Sequence, residues 1–149
     1  MTQKQPFKVN RDDLRHASHA SVTQPDIRPV QESGNAVYVL VDDFVYRLPN
    51  GQAVRVPKGF RHDGASGAKF LFGRDGVHRA AALVHDYLIK VKGFIPAETK
   101  KDGDIHMTRK RVDHLFRAIL EDVGVKSWHV ELAYGGVRFW SKVIKGDKF

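Results

Sequence analysis

His85 and Asp86 sit side by side in Ala80-Ala81-Ala82-Leu83-Val84-His85-Asp86-Tyr87-Leu88-Ile89, an otherwise apolar run opened by three alanines. A further carboxylate, Asp113, follows in Arg109-Lys110-Arg111-Val112-Asp113-His114-Leu115-Phe116. Charged side chains are seldom buried unless paired or ligated, so acids inside such segments need partners. An imidazole oriented by a carboxylate is a general base suited to neutral pH. The same two groups, closed on each other, make a satisfied buried polar pair that ties two elements together. Both chemistries require His85 and Asp113 on facing helices.

Helical spacing predicts those helices. Val77, Ala80, Ala81, Val84, Tyr87, Leu88 and Val91 fall on one stripe of a helix over residues 77–91, with His85 in line with Ala81 and Leu88. Asp86 stands about one hundred degrees further round. A loop over residues 92–105, broken by Gly93, Pro96 and Gly103, gives the chain room to reverse. Thr108 can cap a second helix with Val112, Leu115, Phe116, Ile119 and Val123 on its apolar line and Gly124 as its stop. Asp113 flanks that line beside Phe116 and Leu120. Ser127 starts a third helix through Trp128, Leu132, Ala133, Tyr134, Val137, Trp140 and Val143. Its Gly135-Gly136 pair costs about 1 kcal/mol per glycine relative to alanine. Either that helix breaks there, or another backbone approaches closely.

Upstream, the period changes to two. Residues 37–41 and 44–48 read as strands separated by Asp42-Asp43; Pro49-Asn50-Gly51 is a hairpin turn, and residues 52–56 return to Pro57. Such a meander needs a helical layer against it. A glycine-rich loop over residues 58–67 then carries His62, Asp63 and Ser66, of which Asp63 or Ser66 can cap the next element. Residues 1–34 are polar, with residues 11–20 as the one stretch able to form a short helix, and read as an extended arm laid along another subunit. The expected organisation is α+β: a small antiparallel meander or hairpin on two or three helices in residues 35–149, preceded by the arm.

Composition narrows the functional classes. The absence of cysteine excludes disulfides and thiolate metal sites. A net charge of +8 favours acidic partners such as nucleic acid or anionic envelope surfaces. No zinc finger, phosphate loop or aromatic–basic RNA motif accompanies it, so nucleic-acid binding rests on charge alone. No apolar run approaches the roughly 20 residues of a membrane span, and the N-terminus lacks the apolar core of a signal peptide.

Several motifs occur in a specific order: Asp43-Phe44-Val45-Tyr46, Val56-Pro57-Lys58-Gly59-Phe60, Asp63-Gly64-Ala65-Ser66, His85-Asp86-Tyr87-Leu88, Arg109 with Asp113 and Phe116, and Gly136-Val137-Arg138-Phe139. In this the chain resembles the domain of unknown function 1353 family, common in tailed bacteriophages and prophages. The resemblance spans residues 37–140 and implies a phage context without an established activity. The chain departs from the family pattern at His62, where threonine is usual, at Gly67, where proline is usual, and at Ile89, where tyrosine is usual.

A wider likeness supplies an enzymatic expectation. Calcium-dependent phospholipases carry His-Asp-x-x-Tyr on one helix and an Asp on its neighbour. By that resemblance, His85 would activate water, Asp113 would orient it and Asp86 would bind calcium, giving a hydrolase acting on the host envelope. Ile89 occupies the tyrosine position, and no further acidic cluster is evident. Residues 81–86 also resemble the central helix of His-Asp phosphohydrolases, in which His62 and Asp113 would complete a transition-metal set, although those proteins are all-helical. The favoured expectation is a virion protein without a cofactor, made in the host cytoplasm. It would bind other phage structural proteins through the arm, and a homo-oligomer is a further expectation.

Overall fold

The computed structural model describes residues 25–32, 35–62 and 79–149. Strands β1 (Ile27–Glu32) and β2 (Asn35–Leu40) pair antiparallel, from Ile27 opposite Leu40 to Glu32 opposite Asn35. Strand β5 (Arg61–His62) joins the other edge of β2 through Tyr38 and Val39. The sheet therefore begins inside the segment that the sequence reads as an arm. Residues 27–32 lack sustained alternation because backbone pairing to β2, more than apolar side chains, holds them. The remainder of the expected arm, residues 1–24 with its short helix, lies outside the described residues.

Strands β3 (Phe44–Arg47) and β4 (Ala53–Val56) form the expected hairpin, with Phe44 opposite Val56 and Arg47 opposite Ala53. Gly51 takes φ +89°, and the Asn50 side-chain oxygen accepts from the Gln52 amide at 3.0 Å, which fixes the turn. The hairpin forms its own sheet and does not continue from β2 as a meander. Asp42-Asp43 turns the chain out of the first sheet, and Asp43 accepts from the Lys58 amide at 2.7 Å. The Val-Pro-x-Gly-Phe motif is a turn fastened to the end of β2. Gly59 has φ +83° and donates to the Leu40 carbonyl at 2.8 Å, while the Leu40 amide donates back to Phe60 at 2.9 Å.

Three helices follow, α1 (Arg79–Lys90), which packs on β4 and β5, then α2 (Arg109–Asp122) and α3 (Ser127–Phe139), the last running on into a π-helical turn over Trp140–Ile144. Thr108 caps α2 as expected, its hydroxyl accepting from the Arg111 amide at 3.3 Å. The loop between α1 and α2 contains a small hairpin, β6 (Phe94–Ile95) and β7 (Ile105–His106), too short to leave a periodic signal. Helix α1 packs on α2 and α2 on α3. The core runs from Leu40, Val54 and Val56 through Leu83, Val84 and Leu88 to Val112, Leu115, Phe116 and Ile119. Burying each such aliphatic or aromatic side chain contributes about 1.5–3 kcal/mol, which outweighs the local propensity costs of the glycines. No described helix is long and apolar enough to cross a membrane.

Candidate functional site

Ala80, Ala81 and Ala82 are all buried, so α1 can lie close to α2, and one turn later it presents His85 to that helix. His85 Nε2 is 2.8 Å from Asp113 Oδ1. Asp113 is fully buried, and the His85 ring rests 5.1 Å from the Phe116 ring. The second Asp113 oxygen accepts from Arg138 Nη1 of α3 at 2.8 Å, and the same nitrogen is 2.9 Å from Asp147 Oδ1. Arg109, one turn before Asp113 and also buried, keeps its Nε 4.0 Å from Asp113 Oδ1 and donates to Ser141 Oγ at 3.0 Å. One carboxylate thus joins all three helices.

Asp86 Oδ1 lies 3.8 Å from His85 Nδ1, so each ring nitrogen faces a carboxylate. Burial opposes charge on His85, but hydrogen bonding to Asp113 and Asp86 and the field of both acids prevail and raise its pKa. Burial likewise opposes charge on Asp113, yet its bonds from His85, Ser141 and Arg138 hold it below the ordinary carboxylate value. The two directions agree: each shift favours the charged form of its group. Three basic side chains (His85, Arg109, Arg138) stand among three carboxylates (Asp86, Asp113, Asp147). Nε2 is committed to Asp113, which leaves Nδ1, 3.8 Å from Asp86, as the ring nitrogen not tied to that carboxylate. The side chain is only 11% exposed, which restricts access.

The metal expectation can be tested on the donor set. Calcium needs six to eight oxygens, and Asp113, with both oxygens already bonded to cationic side chains, is not a ligand. Among the described residues no three histidine, aspartate or glutamate side chains gather in an arrangement able to hold a metal ion. The described residues do not fit such a site. A groove of about 450 Å³ lies on another side of α1, lined by Val54, Arg55, Tyr87, Phe94 and Glu98, without His85, Asp86 or Asp113.

Of the residues singled out from sequence, the structure brings together His85, Asp86 and Asp113. His62 lies in β5 opposite Tyr38, whereas Asp63 and Ser66 lie outside the described residues. The sequence reading missed Arg138 and Arg109 as partners of Asp113. Both stood in quoted motifs, and the signal was available: a buried acid facing a histidine still has a second oxygen to satisfy.

A family model described as a protein of unknown function, DUF1353, matches residues 38–137, a segment that contains His85, Asp86 and Asp113. No curated protein and no solved structure matches the chain.

Proposed function

The chain belongs to the DUF1353 family of proteins of unknown function, and from that premise we propose a bacteriophage-type virion component. It is a tail, neck or associated structural or assembly protein that binds neighbouring structural subunits. The observation that carries this reading is the closed network around Asp113, with both oxygens engaged by His85 and Arg138 in a fully buried position. Such a cluster locks helices together, and a reactive centre needs a group left open to substrate. The tailed-phage context implied by the family resemblance and the net charge of +8 support the same reading. Residues 1–24 are the proposed contact arm, and the protein is made in the host cytoplasm before it enters the particle. Mass spectrometry of purified particles tests the proposal. The expected result is the protein at a fixed ratio to the other structural subunits; its absence from particles, with presence in infected cytoplasm, overturns it.

One observation favours a second reading, a small metal-dependent hydrolase acting on the host envelope. His85 and Asp113 form a 2.8 Å dyad on packed helices with Asp86 adjacent. Under that reading Asp113→Asn folds almost normally and loses a calcium-dependent lipid-hydrolysing activity that the wild type has. Under the structural reading the wild type has no such activity, and the substitution lowers the melting temperature.

A further inference from the structure

Helix α3 buries one side only: Val130 and Ala133 are covered, as is Ser141 in the turn beyond. On the opposite side stand Trp128 at 63% exposure, Leu132 at 50%, Phe139 at 61% and Val143 at 60%. A helix apolar on both sides is normally covered on both. Gly135 and Gly136 occupy the middle of this outward face, and both are exposed. The helix runs through them unbroken, and a side chain at Gly135 would meet nothing within 4 Å. Among the described residues, α3 is not broken at the pair, and no other backbone closes on Gly135. Two glycines inside a helix cost about 1 kcal/mol each relative to alanine, and at Gly135 no described neighbour requires the missing side chain.

We propose that two copies of the chain pair through this face, with their α3 helices antiparallel and crossing at Gly135-Gly136. The spacing itself points to a second copy. Outward from the glycine pair, Leu132 and Phe139 lie at equal distances along the chain, and so do Trp128 and Val143. A two-fold axis between the glycines therefore sets Leu132 against the partner's Phe139 and Trp128 against the partner's Val143, a self-complementary patch of the kind a symmetric dimer requires. The glycines let the backbones approach, as small residues do wherever helices cross closely. All four side chains are at least half exposed, and a specific interface needs about 1,000 Å² of buried surface in total. A lipid surface would use the aromatic residues but has no backbone to bring against the glycines. The inference does not depend on whether the chain enters a particle.

Sedimentation or light scattering of the full chain over a range of concentrations tests it. The expected mass is twice 16.8 kDa at high concentration. Gly135→Leu and Phe139→Arg should each weaken association about tenfold or more. Gly135→Leu should leave helicity intact and not lower the melting temperature, since a Cβ there meets no described atom within 4 Å and leucine is the better helix former. In this cysteine-free sequence, Leu132→Cys combined with Phe139→Cys should oxidise to a covalent dimer in high yield. Lys126 and Lys145 flank the two ends of the face and meet across the pair, so added salt should tighten the dimer by screening them. A single-chain mass at every concentration overturns the proposal. So does a dimer unaffected by both substitutions, or a monomer that instead partitions onto anionic phospholipid vesicles and is released by salt.

Discussion

Asp113 is the residue on which the helical layer depends. It is fully buried and serves His85 and Arg138 at 2.8 Å each. Removing one partner of a buried ion pair leaves an uncompensated charge, costing about 3–5 kcal/mol. Asp113→Ala should therefore lower the melting temperature by about 10 °C or more, measured by thermal unfolding; a change of only a degree or two would contradict the network. The pair also has a definite pH signature. His85 is raised and Asp113 lowered relative to their ordinary values. The His85 contribution is full below about pH 6.5 and is lost as pH rises through its raised value. The Asp113 contribution is full above about pH 3.9 and is lost as pH falls through its lowered value. The stability gap between wild type and His85→Gln should be widest between these limits and shrink on the alkaline side. A gap constant with pH would mean that His85 is neutral in the folded protein.

At the scale of elements, the join between α1 and the β6–β7 hairpin is the tightest point. Gly93 adopts φ +74°, donates to the Leu88 carbonyl at 2.7 Å to close α1, and accepts from the Met107 amide at 2.8 Å. A Cβ at this position would run into the Met107 carbonyl oxygen. Gly93→Ala should cost about 2 kcal/mol or more, since the left-handed backbone alone costs roughly 1–2 kcal/mol for an alanine. Gly51 has φ +89° but open space around it, so Gly51→Ala should cost only the backbone term. Urea unfolding of the two variants tests the contrast, and equal losses would show that the Met107 contact yields. Thr108→Ala, which removes the α2 cap, should cost about 1 kcal/mol.

Across the described molecule, the three sheets and three helices share one core, and β1 is part of that construction. Ile27 packs against the core, and all six β1 residues are paired with β2. A chain beginning at residue 35 should be less stable than one beginning at residue 25. At 0.2–1 kcal/mol per cross-strand pair, the loss is on the order of 2 kcal/mol. Comparing the two truncations by thermal melting places the real boundary of the folded unit; equal stability would return β1 to the arm. The charge of +8 does not come from the Asp113 cluster, where Arg109 and Arg138 stand among Asp86, Asp113 and Asp147, and lies on the rest of the molecule.

Local chemistry was enough for much of this. Asn50-Gly51 dictated a hairpin because few residues accept its positive φ, and Thr108 and Gly124 set the ends of α2 by capping. The apolar stripes of α1 and α2 placed His85 and Asp113 at the flanks of facing helices, and the 2.8 Å contact follows from that register. Other features depend on partners distant in sequence. Pairing of residues 27–32 with β2 needs only backbone groups, which no periodicity records. The two-residue strands β6 and β7 exist because Gly93 and Met107 meet. That Asp113 also holds Arg138, and that the far side of α3 is left uncovered, were decided by how α3 packs on α2, because helical spacing gives a stripe its angle but not the neighbour that covers it.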